Sequence, residues 1–127
     1  MSRRFAVSSA SVLCASCASA AGQPRHSAPA AAKTLVEKGI LHLRPGEIFH
    51  DAPGCSWCGR TGYRGRVGIF EVLRLDDTLR SLIRQRLDIT EIQRHARATG
   101  MTTMLEDGLA KFRAGITSVE EVLRVTT

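Results

Sequence analysis

Four cysteines carry the strongest chemical signal in this 127-residue chain. They are spaced Cys14-x2-Cys17 and Cys55-x2-Cys58, with 37 residues between the two pairs. Two residues between cysteines let both sulfurs face one point from a tight turn. Two such turns supply four thiolates, the ligand set of a closed tetrahedral zinc site. Gly54 and Gly59 flank the second pair and permit its turn. The gap exceeds the roughly 15–20 residues of an ordinary zinc ribbon. A long insert is tolerated there, because closure entropy grows only logarithmically with loop length. The expected metal ligands are therefore Cys14, Cys17, Cys55 and Cys58. Zinc held by four sulfurs is structural, since no position stays open for water or substrate. Its contribution is folding energy for a segment too small and polar to bury a core of its own.

Other chemistries compete for the same residues. A cysteine often packs as a small hydrophobe, and the Ala/Ser/Val run around Cys14 and Cys17 suits that better than the polar, glycine-rich setting of Cys55 and Cys58. A redox-active pair wants a low-pKa thiolate at a helix start, and neither pair carries a helix-cap signature. Ser2-Arg3-Arg4-Phe5 precedes a moderately apolar run ending Ala18-Ser19-Ala20, the charged, apolar and small-residue order of a secretory signal peptide. Cleavage there would remove Cys14 and Cys17. The run is rich in serine, so a retained N-terminus is the favoured expectation and export of the chain the alternative.

Several catalytic classes are excluded. A P-loop needs two glycines at fixed offsets before Lys-Ser/Thr. The only such pair is Lys33-Thr34, and the glycine positions hold Ser27 and Ala32. H-E-x-x-H and G-x-S-x-G are absent as well. No catalytic or nucleotide-binding residue is expected in this chain. His26, His42, His50 and His95 share no ligand spacing, and Met101 and Met104 read as core filler.

Charge and composition narrow the partners. There are 18 Lys+Arg, 15 of them arginine, against 12 Asp+Glu, a net charge of +6. Such a surface has loose affinity for anionic lipid or nucleic acid. Hydrophobic residues make up 43% and aromatics 5%, so a core exists and must be aliphatic. No apolar run approaches the roughly 18 residues of a spanning helix. Gly59–Arg66 is a basic, glycine-rich turn of the kind that touches phosphates. It has one aromatic and no second stacking platform, so nucleic acid is not the expected partner. The turn reads as a connector whose arginines can pair with acids on a neighbouring subunit.

The elements that must position the cysteines emerge from local patterns. Residues 1–53 hold eleven of the fifteen alanines, whereas 54–127 interleave twelve cations and nine anions with periodic aliphatics. Ala18–Ala32 looks like a linker or mobile loop. Arg66–Leu73 alternates and is rich in branched residues, which predicts a strand. Asp76, Asp77 and Thr78 can cap a helix whose apolar face is Leu79, Leu82 and Ile83. A second helix is expected from Asp88–Thr90 to Gly100. A third opens with Thr103-x-x-Glu106, buries Met104, Leu105, Leu109 and Phe112, and ends at Gly115. A fourth opens with Thr117-x-x-Glu120 and buries Val119, Val122 and Leu123. The expected fold class is small α+β: a tetracysteine zinc-ribbon-like subdomain, one or two strands, then a bundle of about four short helices. The expected divisions are 1–12, an N-terminal leader or frayed segment; 13–65, the zinc-binding subdomain with a helical insert; and 66–127, the strand and helical domain.

From Gly54 onward the sequence resembles one family. It reads G-C-S-W-C-G-R-T-G-Y-R-G-R-V-G-I-F-E-V-L, then D-D-T-L-R-S-L-I, A-R-A-T-G-M, E-D-G-L-A-K and G-I-T-S-V-E-E-V-L-R-V-T. This is similar to the C-terminal end of the type II secretion ATPases, the E component of the general secretion pathway, and of the ATPases of type IV pilus assembly. Cys55, Cys58, Thr61, Gly62, Tyr63, Gly65, Arg66, Gly68, Ile69 and Glu71 occupy the family pattern. Leu13-Cys14-x-x-Cys17 resembles its first cysteine pair, and Leu35–Ile40 its helical insert. The resemblance implies a zinc subdomain after a nucleotide-binding core, hexameric ATPase subunits and inner-membrane platform proteins as partners, and a cytoplasmic place at the inner membrane. The family's Walker A and Walker B regions and its Asp and His boxes precede the first cysteine pair. The chain thus resembles a zinc-binding end segment that shapes the motor and transmits motion, and does not itself hydrolyse ATP. A free-standing zinc-ribbon adaptor for nucleic acid or protein is the alternative. A subunit completing a neighbour's ATP site with an arginine is a third expectation.

Overall fold

The computed structural model describes residues 3–15, 29–47, 49–50, 53–86 and 88–126. Its organising element is an antiparallel pair of long strands, β1 (Arg3–Leu13) and β2 (Tyr63–Arg74). The register runs from Arg3 opposite Arg74 to Ser11 opposite Arg66, then slips by one so that Leu13 faces Tyr63. The extra residue lies on β2, where Gly65 has φ +82°. That is the left-handed position a glycine bulge uses to bend a strand and re-aim its end. Here it turns the ends of both strands toward the second cysteine pair.

One face of this ribbon is built for burial. Ala10 and Ile69 are fully buried on it, and they share a core with Ala32, Leu35, Leu41, Phe49, Leu109, Phe112, Val119 and Val122. Helix α1 (Ala30–Glu37) and the segment after it supply Ala32, Leu35, Leu41 and Phe49, with Phe49 stacked on Phe112 at 5.8 Å. The other helices are α2 (Asp77–Arg84), α3 (Ile89–Ala98), α4 (Met104–Arg113) and α5 (Val119–Thr126). Helices α4 and α5 lie on the ribbon and meet at Gly108. A Cβ there would stand 2.6 Å from Val122 Cγ1. Helices α2 and α3 pack on one another instead, around buried Leu79 and Ala96. The four expected helices after the strand are therefore present, divided into two pairs.

Caps explain where the helices start. Asp76 accepts the Leu79 N–H at 2.7 Å, and Asp88 accepts the Thr90 N–H at 3.4 Å. Thr103 and Glu106 form the reciprocal box read from the sequence, with Glu106 Oε2 accepting the Thr103 N–H at 2.8 Å. Each bond satisfies a donor that the first helical turn leaves open. These caps hold the Asp76 and Glu106 carboxyls below the ordinary carboxylate range, and the Thr90 hydroxyl, donating at 2.8 Å, together with the Thr90 N–H does the same for Asp88.

The structure departs from the sequence-based expectations in four places. Residues 3–12, within the 1–12 expected as a leader or frayed segment, form strand β1 together with Leu13, because β2 supplies a ladder along nearly the whole length. Ala30–Ala32, expected as linker, open helix α1 behind Pro29; alanine is the best helix former and proline suits the entry. The strand expected at Arg66–Leu73 extends to Tyr63–Arg74. The cap of α5 is Ser118, which accepts the Glu121 N–H at 3.3 Å, one residue later than expected. Thr117 is fully buried and instead donates its hydroxyl to the Ser11 carbonyl at 2.6 Å.

Candidate metal centre

The second cysteine pair sits on a single 3-10 turn, Ser56–Cys58, entered by extended Cys55 and left through Gly59 at φ +60°. Gly54 precedes it at φ +85°, and a Cβ there would stand 2.4 Å from the Arg60 carbonyl oxygen. The chain doubles back so tightly that only hydrogen fits, and the Arg60 N–H closes the loop on the Cys55 carbonyl at 2.8 Å. Thr61 fastens the exit by donating its hydroxyl to the Cys58 carbonyl at 2.7 Å. The run from Thr61 to Gly65 is thus a corner that feeds the turn into β2.

Cys14 reaches this turn from the end of β1. Its backbone N–H bonds to the Gly62 carbonyl at 2.9 Å, while that of Leu13 points the other way, to the Ile116 carbonyl at 2.8 Å. The side chain is buried, 4% exposed, whereas Cys55 and Cys58 are half-buried. Cys14 Sγ lies 3.8 Å from Cys55 Sγ, and Cys55 Sγ lies 3.7 Å from Cys58 Sγ. All three sulfurs fall within 4.8 Å of one another. Sulfurs about 2.3 Å from a tetrahedral zinc stand about 3.8 Å apart, whereas a disulfide needs about 2.05 Å. The observed separations fit three corners of a metal tetrahedron. Cys17, the fourth expected ligand, lies outside the described residues.

The backbone donates hydrogen bonds to the sulfurs. Cys58 Sγ accepts N–H bonds from Cys55 and Gly62, both at 3.2 Å. Cys55 Sγ accepts the Cys58 N–H in return. Cys58 Sγ also donates to the Cys55 carbonyl at 3.4 Å. The N-cap of this short turn is a cysteine, a cap the sequence pattern did not flag.

A polar hub beside the sulfurs had no single motif to announce it. Tyr63 Oη and Ser118 Oγ are 2.7 Å apart, joining the start of β2 to the start of α5. Glu121 accepts the Ser11 N–H on the outer edge of β1 at 2.9 Å and both Arg124 donors at 2.8 and 2.9 Å. The Arg124 guanidinium, with the Ser11 N–H behind it, holds the Glu121 carboxyl down at about 2. Ser118-x-x-Glu121 fits a cap pattern as well as Thr117-x-x-Glu120, so the sequence could not choose between them.

A compact α+β piece with a sulfur-lined corner is the class that fold and site define. Residues 7–124 match the family model described as type II/IV secretion system protein, and the chain belongs to that family. The chain is similar to the type II secretion system protein E of Pseudomonas aeruginosa, 49% identical over 78 residues, 61% of this chain and 15% of that protein. It is similar to the type II secretion system protein E of Klebsiella pneumoniae, 43% identical over 103 residues, 80% of this chain and 20% of that protein. It is also similar to the type IV pilus assembly ATPase PilB of Thermus thermophilus, 47% identical over 81 residues, 64% of this chain and 9% of that protein. The chain thus spans a fifth or less of the length of these curated relatives. Among the described residues no helix is long and apolar enough to cross a membrane.

Proposed function

We propose that this chain is a zinc-binding end segment of a type II secretion protein E-like ATPase, acting in secretion or pilus assembly by shaping the motor rather than hydrolysing ATP. The observation that carries it is the set of sulfur separations, 3.8 and 3.7 Å, between cysteines 41 and 3 residues apart in sequence. Cys14, Cys55 and Cys58 would hold the ion with Cys17 as fourth ligand. Bound zinc supplies a fixed cross-link and no reactive position. Residues 13–65 then form the metal-binding part and 66–127 the helical part, with β2 running through both. The partners on this reading are motor subunits and platform proteins at the cytoplasmic face of the inner membrane. Native mass spectrometry of the full chain tests it: one zinc per chain is expected, lost on Cys55→Ser or Cys58→Ser, with no retention of ATP. A chain without zinc, or one that binds ATP tightly, overturns the reading.

A second reading is favoured by one feature. Trp57 is 70% exposed at the tip of the turn, with the Arg64 guanidinium 5.1 Å from its ring centre. Residues 53–66 contain no acid, and Arg60, Arg64 and Arg66 are all exposed. An adaptor that binds an anionic partner would use such a tip. Salt-dependent DNA binding below micromolar would support that adaptor; its absence would leave the tip to protein contacts.

A further inference from the structure

We infer that the turn around Trp57 is a docking tip for an anionic lipid surface: the indole enters the headgroup layer while Arg60, Arg64 and Arg66 take the lipid phosphates. The inference rests on the anionic-partner reading of this tip, names the partner, and needs no metal in the sulfur corner.

The turn holds its apolar group out. Trp57, 70% exposed, is the most exposed large apolar side chain among the described residues. It is the middle residue of a 3-10 turn only three residues long. The Gly59 N–H bonds to the Ser56 carbonyl at 3.3 Å, the Arg60 N–H to the Cys55 carbonyl at 2.8 Å, and the Thr61 hydroxyl to the Cys58 carbonyl at 2.7 Å. Ser56, Gly59 and Arg60 around the ring are exposed as well. An indole on a backbone fixed in this way docks with little further ordering.

The charges around it are unspent. Elsewhere arginines pair with carboxylates: Arg97 with Glu106, Arg113 with Glu47 and Arg124 with Glu121. Among the described residues no carboxylate pairs with Arg60, Arg64 or Arg66, and all three are exposed. Arg60 moreover holds a left-handed backbone, φ +65°. Glycine would take that conformation freely, so the cation stands at the tip at a cost in backbone strain.

The arrangement suits lipid better than nucleic acid or protein. Nucleic acid would stack its bases on aromatic faces. The Arg64 guanidinium already lies 5.1 Å from the Trp57 ring centre, and Tyr63 is tied to Ser118 at 2.7 Å. Protein contacts fix register by matching charges of both signs; one sign around a single aromatic fixes none. A fluid bilayer interface needs no register. It takes an amphipathic ring at headgroup depth, with arginine stems beside it and guanidinium groups among the phosphates. Binding then grows with the apolar area entered and with each cation, and salt weakens the second contribution.

Trp57 is the only tryptophan in the chain, so tryptophan fluorescence reports the tip alone. The test titrates the full chain, at low and at physiological salt, with vesicles of phosphatidylcholine, with vesicles of equal parts phosphatidylcholine and phosphatidylglycerol, and with a DNA duplex. The anionic vesicles should shift Trp57 emission to the blue and bring it within reach of brominated acyl chains; phosphatidylcholine alone should do neither. Arg60→Gln, Arg64→Gln or Arg66→Gln should each weaken binding about fivefold, and the three together about a hundredfold. Trp57→Ala should weaken cosedimentation at least about tenfold. Unaltered emission of the parent chain on anionic vesicles, an equal response to phosphatidylcholine, or a triple variant that binds like the parent overturns the inference. Tighter binding to the duplex than to the vesicles assigns the tip to nucleic acid and overturns it alone. Binding to neither overturns it together with the anionic-partner reading, and the zinc reading is untouched by any of these results.

Discussion

The sulfur corner and the sheet–helix core hold β1 in opposite ways. At the corner a few atoms carry the attachment: three sulfurs within 4.8 Å, one tight turn and a handful of N–H bonds, with an exposed tryptophan at the tip. In the core the attachment is spread over ten buried side chains from both strands, three helices and the segment after α1. A point attachment rests on few atoms, and on the zinc reading proposed above a chelator removes it. A distributed one ignores solution chemistry and answers to volume. Thus the same strand is held at one end by a few contacts and along its length by many.

The largest effect should come from breaking the distributed half. Ile69 is fully buried at the centre of β2, against Gly108 of α4. Ile69→Ala should destabilise the whole chain by about 2–5 kcal/mol, the usual range for a truncation that leaves a cavity. Urea denaturation followed by far-UV circular dichroism would read it. A loss below about 0.5 kcal/mol would mean the ribbon face is not the core.

Gly54→Ala should act next, and elsewhere. It places a Cβ 2.4 Å from the Arg60 carbonyl at φ +85°, a left-handed conformation whose strain alone is about 1–3 kcal/mol for a non-glycine residue. The distortion falls on the turn that carries Cys55 and Cys58. Zinc should be lost to a competing chelator at lower chelator concentration, while α4 and α5 keep their exchange protection. Equal loss of protection at both places would show that corner and core are not separable.

Much of this division was legible beforehand, for a physical reason that differs between the two halves. Helix starts are local: Asp76, Asp88 and the Thr103–Glu106 box each write their cap within four residues, so α2, α3 and α4 could be placed. The cysteine spacing is local within each pair, and it announced the turn at Cys55–Cys58. The strand β1 was illegible because its evidence is distant. Ser8 and Ala10 are small and poor strand formers, and they become a strand only opposite Ile69 and Val67. Pairing partners some sixty residues apart leave no periodic signature strong enough to overrule serine and alanine. The hub at Thr117, Ser118 and Glu121 was missed differently. Two adjacent hydroxyls offered two equivalent caps, and burial of Thr117 against Ser11, a long-range event, chose between them.

Acid should sharpen the comparison through that hub. The Glu121 carboxyl titrates near 2 in the folded chain instead of about 4.5. A depressed folded value means that its contribution is complete above about pH 4.5 and is lost as pH falls toward 2. Glu121→Gln keeps an acceptor for the Ser11 N–H but not the charge that faces Arg124. At neutral pH it should cost about 1–2 kcal/mol, and the melting temperature should fall less steeply than wild type between pH 5 and 2. An unchanged slope would assign the acid sensitivity to Asp76, Asp88 and Glu106, which are also held low.

The smallest effect belongs to a charge pair that touches neither attachment. Arg80 Nη1 lies 3.0 Å from Asp77 Oδ1 on α2, with side chains 46% and 98% exposed. Two exposed charges in water gain little from meeting, lose rotamer freedom in doing so, and are screened by salt. Arg80→Ala should therefore change stability by less than about 0.5 kcal/mol, with zinc content and the exchange pattern of the sheet–helix core untouched. Helix α2 packs chiefly on α3, and the pair lies at the far end of β2 from the sulfurs. A shift of more than about 1 kcal/mol in urea denaturation, well above what an exposed pair supplies, would mean that the α2–α3 pair supports the ribbon. In that case the molecule would have a third attachment beside the sulfurs and the core.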